Sequence, residues 1–85
     1  MRNIYFDAGA YKDYVEWSYK NREIFNKIND LIFDVTRDPF RGIGKPEPLK
    51  GNWAGYWSRR INSEHRLIYK VDNEKVSIVS CHGHY

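Results

Sequence analysis

Residues 55–71 constrain the fold more than any other stretch, because they predict a β-hairpin. Two runs rich in β-branched and aromatic residues are separated there by a polar turn at residues 62–64. Since side chains alternate between the two faces of a strand, one face of this hairpin is apolar enough to lie against a core. The other face presents Arg60 and Arg66, and a planar guanidinium is well shaped to bind phosphate.

Two helices are predicted upstream of the hairpin from the spacing of apolar residues. The first runs from residue 8 to about residue 20, with Asp7 as its N-cap. Its stripe of mainly aromatic residues consists of Tyr11, Tyr14, Val15, Ser18 and Tyr19. The second carries one continuous apolar face, formed by Ile24, Ile28, Leu31, Ile32 and Val35. Asn21 separates the helices, and Asp38 ends the second because a residue before proline is disfavoured in the α region.

Three further strands are predicted around these elements. Residues 3–6 are short and β-prone, and residues 48–50 fit an edge strand, where proline is tolerated. Residues 75–82 alternate in hydrophobicity after a turn at residues 72–73. The order β-α-α-β-β-β-β predicts an α+β fold, with two N-terminal helices packed on a mostly antiparallel sheet of about four to five strands. Because the chain has 85 residues, we expect a single domain covering residues 1–85.

Composition narrows the class of protein. The net charge of +3 and the 16% aromatic content favour a polyanionic partner, because tyrosine and tryptophan also stack on bases. Packing in the core or in a protein interface is the alternative explanation for each aromatic residue. Cys81 is the single cysteine, which excludes an intramolecular disulfide. We expect a cytoplasmic protein, because no signal-peptide run and no membrane-length apolar run is present.

Glu47 lies between Pro46 and Pro48, in a loop that also carries Lys45 and Lys50. Because both prolines fix φ, the carboxylate is held on a stiff segment. Stiffness suits a general base, which must stay within hydrogen-bond reach of the proton that it removes. The alternative is an exposed loop glutamate without a chemical role.

His84 is the second candidate for proton transfer, because histidine titrates near neutral pH and donates protons to leaving oxygens. It directly precedes Tyr85 at the end of the sequence. A surface histidine on a frayed terminus is the alternative. We expect no zinc site at His82 and His84, since no thiol or carboxylate stands at a recognised ligand spacing. Neither a metal nor another cofactor is therefore predicted.

The hairpin arginines Arg59, Arg60 and Arg66 are either surface charges paired with nearby acids or part of an anion site. Arg60 and Arg66 share one face, which favours the anion site. A carboxylate base, an imidazole acid and guanidinium groups together suit in-line attack on a phosphodiester without a metal. RNA brings its own nucleophile, the 2′-hydroxyl, so the combination predicts cleavage of RNA and not of DNA.

Four segments together resemble the YoeB toxin family of the RelE/ParE-type bacterial toxins: residues 40–50, 55–61, 64–69 and the ending His84-Tyr85. The likeness covers nearly the whole chain, in length and in element order. It implies a RelE-like microbial RNase fold and an mRNA interferase that enters the 70S ribosome. That enzyme cuts the A-site codon without metal, by transesterification to a 2′,3′-cyclic phosphate. The resemblance also implies a YefM-like antitoxin as a partner, and a homodimer.

Matching positions give the expected roles of individual residues. The resemblance implies that Glu47 is the general base, His84 the general acid and Arg66 the principal phosphate-binding residue. Tyr85 matches the terminal aromatic residue that shapes the site. Substrate binding is predicted for Lys50, Trp57, Arg59 and Arg60.

Two other functions stay open at this point. A non-catalytic RNA- or ribosome-binding module would use the same basic face and aromatic residues. A gyrase-inhibiting toxin of the ParE type belongs to the same superfamily, although Glu47 and His84 argue against it.

Overall fold

A computed structural model of the chain describes residues 1–83. The two predicted site residues His84 and Tyr85 lie outside the described residues. The elements follow the predicted order of one strand, two helices and four strands. Their bounds are β1 Asn3–Phe6, α1 Ala8–Lys20, α2 Arg22–Arg37, β2 Glu47–Pro48, β3 Tyr56–Arg60, β4 Arg66–Val71 and β5 Lys75–Ser80, with a 3₁₀ turn at Gly51–Trp53.

Within residues 1–83 the strands form a five-stranded sheet in the order β1-β5-β4-β3-β2. β1 runs parallel to β5, and the other neighbouring strands are antiparallel. The predicted α+β fold, with two helices on a mostly antiparallel sheet, is thereby confirmed. Because β1 and β2 form opposite edges, Glu47 and the β3–β4 hairpin lie on the half of the sheet away from β1.

Side chains within the turns hold the predicted β-hairpins together. The Asn62 side-chain oxygen accepts bonds from two backbone amides of the β3–β4 turn, at 2.8 and 2.7 Å. Asp72 does the same in the β4–β5 turn, at 2.8 and 2.9 Å. The edge strand exists but covers Glu47–Pro48 instead of residues 48–50, because Lys50 already serves as the N-cap of the 3₁₀ turn. The last strand ends at Ser80, two residues earlier than predicted.

The core lies between α2 and the sheet. The predicted apolar face of α2 is confirmed, since Ile28, Leu31 and Val35 are fully buried. They pack against alternating strand residues, which are Leu67, Tyr69, Val76 and Ile78. Burial of one such aliphatic side chain stabilises the fold by about 1.5–3 kcal/mol. Asn21 separates the helices as predicted, because its side chain caps α2 by accepting the Ile24 amide at 3.2 Å.

The aromatic stripe predicted for α1 was largely wrong. Tyr11 and Tyr19 are 56% and 72% exposed, and Val15 is also exposed. The face that packs inward carries the buried Ala10 and the partly buried Tyr14 and Trp17. These residues follow the same i, i+4, i+7 spacing, so periodicity alone did not distinguish the two faces. Asp7 stands at the predicted N-cap, but its side chain makes no capping bond. In residues 1–83, neither helix has the length and apolarity to cross a membrane.

Cys81 follows β5 and is completely buried, with its Sγ 3.6 Å from the Ala10 carbonyl oxygen. Burial, with a smaller contribution from Asp13, raises the pKa of its thiol to about 12. Because the thiolate is the reactive species, we expect native Cys81 to react with iodoacetamide on the order of 10³-fold more slowly than the unfolded chain. Mass spectrometry of alkylation with and without urea measures this ratio. Equal rates in both conditions would contradict the burial.

Candidate active site

A small cleft opens on the face of the sheet opposite the helices, beside β2. It has a volume of about 80 Å³ and is lined by Lys45, Glu47, Ser58, Arg60 and Arg66. We call it the arginine cleft. Its floor includes Ser58, which is only 4% exposed, whereas Glu47 and Arg60 are exposed. A carboxylate and three cations therefore meet at one place that solvent reaches.

Strand register brings these side chains together. Glu47 pairs with Ser58 across β2 and β3. Arg60 pairs directly with Arg66 across β3 and β4. Side chains at paired positions lie on the same face, about 4.5–5.5 Å apart at Cβ, and like charges at such positions destabilise a sheet. An anion bound between the two guanidinium groups would relieve this repulsion.

Arg66 is held by the turn that precedes it. One terminal nitrogen of its guanidinium donates to the carbonyl oxygens of Asn62 and His65, at 2.7 and 3.1 Å. The backbone amide of Arg66 donates to the Gly83 carbonyl oxygen at 2.7 Å. The side chain is thus oriented before any ligand arrives, which favours strong charge stabilisation.

The loop that carries Glu47 is clamped against β3. Gly44 has a φ of +80°, and a Cβ added there would lie 2.7 Å from a Leu31 methyl carbon and 3.1 Å from the Arg60 carbonyl oxygen. The Gly44 carbonyl oxygen accepts the Arg60 amide at 2.6 Å. Lys45 then adopts a left-handed conformation, with φ +52°. Such a conformation in a non-glycine residue is uncommon and clusters at functional sites.

Lys45 is not among the site residues predicted from the sequence. Lys50, the lysine predicted from the same loop, is exposed and does not line the arginine cleft. No local sequence signal indicates Lys45, because its φ of +52° breaks the strand alternation that would otherwise relate it to Glu47.

Arg59 requires a correction, because the structure places it in the core instead of at the substrate. Its side chain is 0% exposed. The guanidinium donates to the Asp34 carboxylate and the Tyr69 hydroxyl on the helix side of the sheet. It also donates to three loop carbonyl oxygens, those of Asp38, Arg41 and Ile43, at 2.6, 3.1 and 3.1 Å. Arg59 therefore holds the loop between α2 and β2 in place.

Trp57 also lies outside the arginine cleft, so its predicted contact with the substrate stays a prediction. Like Arg59, it points to the helix side of the sheet, where it is partly buried against the core. Its ring centroid is 5.0 Å from that of Phe40. Alternation along β3 separates Trp57 from Ser58 and Arg60, which point into the cleft.

Asp34 connects α2 to the loop between α2 and β2, and its ionisation predicts how the stability of the fold depends on pH in acid. Burial alone would raise the pKa of Asp34, but bonds from Arg37, Arg59 and the Ile43 amide lower it to about 2, from an ordinary 3.8. Its contribution to stability is therefore complete above pH 3.8 and is lost as the pH falls through 2. We expect the melting temperature of Asp34→Asn to depend less on pH across this window than that of the wild type. Equal slopes in thermal scans from pH 5 to pH 2 would contradict this expectation.

Gly83, the last described residue, is fastened close to Arg66. The Gly83 amide donates to His65 Nδ1 at 2.9 Å, and the Gly83 carbonyl oxygen accepts from Arg66. His82 stacks on Trp17, with ring centroids 5.8 Å apart. Among residues 1–83, no three His, Cys, Asp or Glu side chains are grouped closely enough to hold a metal ion. Cys81 is turned into the core and not toward His82.

A larger cleft of about 400 Å³ lies at the β1 edge. The charged residues that line it are Asp72, Glu74 and Lys75, so acids outnumber bases there. It lacks the paired cations of the arginine cleft and is poorly suited to a polyanion.

Comparisons with known proteins identify the family of the chain. The family described as YoeB-like toxin of bacterial type II toxin-antitoxin system matches residues 6–85. Toxin YoeB of Streptomyces coelicolor is 50% identical over 82 residues, covering 96% of this chain and 98% of that protein. The YoeB of Staphylococcus aureus, solved as a dimer, is 46% identical in sequence to this chain. The two structures superpose with a TM-score of 0.92 over 99% of this chain and 98% of the Staphylococcus aureus chain. A YoeB-YefM complex from the same organism is 46% identical, with a TM-score of 0.90 and coverage of 100% and 99%. The chain therefore belongs to the YoeB-like toxin family of bacterial type II toxin–antitoxin systems.

Proposed function

We propose that this toxin is an endoribonuclease that cleaves mRNA in the ribosomal A site, and that the arginine cleft is its active site. The observation that carries the proposal is the convergence of Glu47 with Lys45, Arg60 and Arg66 in one exposed cleft. Three cations and one carboxylate give the cleft an excess of positive charge. That excess suits a phosphodiester, whose negative charge increases as the attacking oxygen adds to phosphorus.

The proposed reaction is a transesterification within the RNA. Glu47 removes the proton of the 2′-hydroxyl, and the resulting oxygen attacks the adjacent phosphorus. The O2′–P bond forms, the P–O5′ bond breaks, and the products carry a 2′,3′-cyclic phosphate and a 5′-hydroxyl. Arg60 and Arg66 stabilise the additional charge at the phosphoryl oxygens, and general acid–base help contributes about 10²–10⁴ per group.

His84 is proposed to donate the proton to the leaving O5′, and Tyr85 to shape the site. Both residues lie outside the described part of the chain. These roles are supported by Gly83, the residue before His84 in the sequence, because its carbonyl oxygen accepts the Arg66 amide at 2.7 Å. Lys50 is proposed as an exposed contact to the RNA backbone outside the cleft.

The proposed partners are an A-site mRNA on the 70S ribosome, a YefM-like antitoxin and a second copy of this chain. The antitoxin and the homodimer are supported by the Staphylococcus aureus relatives, one solved as a YoeB-YefM complex and one as a YoeB dimer. The ribosome is supported by the basic character of the chain, with a net charge of +3.

The test uses purified protein, programmed 70S ribosomes and a defined mRNA. We expect cuts within the A-site codon. The downstream fragment is expected to begin with a 5′-hydroxyl, and the upstream fragment to end in a 2′,3′-cyclic phosphate. A 2′-deoxynucleotide at the scissile position is expected to abolish the cut, because the nucleophile is missing. The matched control carries the deoxynucleotide three positions downstream and is expected to be cut normally.

Other outcomes separate the alternative functions. Intact mRNA with protein retained on the ribosome would overturn the nuclease proposal in favour of a binding module. Intact mRNA together with altered plasmid supercoiling in the presence of gyrase would favour a gyrase-inhibiting toxin. A cut that persists with the 2′-deoxynucleotide would exclude the 2′-hydroxyl as nucleophile.

A further inference from the structure

His65 occupies an unusual place for a histidine of a hairpin turn. It is only 6% exposed and directly precedes Arg66 at the start of β4. Its Nδ1 accepts the Gly83 amide at 2.9 Å, while the neighbouring Arg66 amide donates to the Gly83 carbonyl oxygen at 2.7 Å. Residues 65 and 66 thus bind both backbone polar groups of a single residue, Gly83, which lies 18 positions after His65.

The ring of His65 is itself fixed by its surroundings. It packs edge-on against Trp17 of α1, with centroids 5.0 Å apart, and lies 4.9 Å from the ring of His82. The backbone amide of His65 donates to the Asn62 side chain at 2.7 Å. The Trp17 indole donates to the Cys81 carbonyl oxygen at 3.0 Å. Trp17 and His65 therefore hold the segment that follows β5 at two points, one before and one after His82.

We infer that His65 is a positioning residue for RNA cleavage, because its Nδ1 anchors Gly83, the residue before the proposed general acid in the sequence, beside Arg66. The inference rests on the function proposed above. It assigns His65 no contact with RNA, since its side chain is buried and the contact runs through Gly83. Gly83 has a φ of +73°, a conformation that glycine adopts without strain.

The chemical consequence concerns the general acid. A donor must lie within about 2.6–3.2 Å of the oxygen that it protonates, and a misplacement of about 1 Å costs on the order of 10²-fold in rate. The residue after Gly83 is His84, so a loose Gly83 allows His84 more positions relative to Arg66. Loss of the anchor therefore lowers the rate of the chemical step and leaves the binding of RNA to the arginine cleft largely unchanged.

Three substitutions test whether the hydrogen-bond acceptor of His65 or the size of its ring is needed. His65→Leu removes the acceptor and keeps a buried side chain of similar size. His65→Asn places an amide oxygen near the position of Nδ1 and retains an acceptor. His65→Gln is the matched control, because its longer side chain carries the amide to the position of Nε2.

Two measurements on the full chain are needed. The first is hydrogen exchange of the Gly83 amide by NMR, which reports the anchor whether or not the protein cleaves RNA. We expect exchange to be about 5-fold faster or more in His65→Leu and His65→Gln, and close to wild type in His65→Asn. The second is single-turnover cleavage on programmed ribosomes. The maximal rate is expected to fall about 10- to 100-fold in His65→Leu and His65→Gln, with the half-saturating concentration changed less than about 3-fold and most of the rate restored in His65→Asn.

The outcomes distinguish this inference from the proposed function. Unchanged Gly83 exchange in both His65→Leu and His65→Gln would overturn the anchor itself. Faster Gly83 exchange with a wild-type cleavage rate would overturn the positioning role and leave the nuclease proposal intact. A wild-type protein that cleaves no RNA would overturn the nuclease proposal and the catalytic consequence, while the exchange data still decide the anchor. If His65→Leu fails to fold, the comparison of His65→Asn with His65→Gln decides the same questions.

Discussion

Glu47→Gln is expected to lower the single-turnover rate of A-site mRNA cleavage by about 10²- to 10⁴-fold, the usual contribution of a general base. Glutamine keeps the size of the side chain but does not accept the 2′-hydroxyl proton. Glu47 is exposed on a two-residue edge strand, and an exposed substitution of this kind changes stability by about 0.5 kcal/mol or less. The expected result is thus a folded protein that binds the programmed ribosome and leaves its message intact.

Glu74→Gln is the matched control, because it removes one exposed carboxylate at the β4–β5 turn, which does not line the arginine cleft. We expect it to cleave at the wild-type rate. Thermal unfolding and ribosome co-sedimentation of both variants show whether a loss of rate reflects chemistry. A Glu47→Gln variant that cuts as fast as Glu74→Gln would remove Glu47 from its proposed role. His84→Ala tested in the same assay is expected to lose rate to a similar degree.

Arg59→Met is expected to destabilise the protein by about 3–5 kcal/mol, which is a large part of the total stability of a domain. The substitution leaves the carboxylate of Asp34, half of an ion pair beneath the loop, without Arg59. It also leaves the carbonyl oxygens of Asp38, Arg41 and Ile43 without their donor. For a domain of this size the melting temperature is expected to fall by roughly 15–30 °C. Urea unfolding followed by tryptophan fluorescence measures the loss.

Arg59→Lys tests whether geometry or charge is responsible. A lysine keeps the positive charge but has three donors on one nitrogen, in place of a planar fork with five. We therefore expect Arg59→Lys to recover only part of the loss. Arg60→Met is the neighbouring control for stability, because Arg60 is exposed and stands opposite Arg66. Its stability is expected to stay within about 0.5 kcal/mol of wild type, and equal losses in Arg59→Met and Arg60→Met would show that burial of Arg59 is unimportant.

Local patterns were sufficient for the framework of the site. Alternation along two predicted strands placed Arg60 and Arg66 on one face, and their direct pairing across β3 and β4 agrees with it. Two prolines marked the segment of Glu47 as stiff, and this segment lines the same cleft. Such inferences succeed because strand period and the φ of proline are properties of a few neighbouring residues.

Residues whose environment comes from distant parts of the chain were not predicted correctly. Arg59 and Arg60 are adjacent and chemically identical, yet one is buried and the other exposed. The stripe predicted for α1 was wrong for a similar reason. Two faces of α1 have the same spacing, and the packing of α1 against α2 and β5 decides which of them is buried.

Hydrophobic periodicity, turn residues and strand alternation already specified the element order, the α+β class and the shared face of Arg60 and Arg66. Only the tertiary structure decided that Arg59 binds the loop between α2 and β2, that Lys45 lines the arginine cleft and that His65 binds Gly83. The physical reason is distance along the chain: the partners of Arg59 lie up to 25 positions away, at Asp34. A contact of that separation depends on how helices and sheet pack, and no short stretch of sequence contains it.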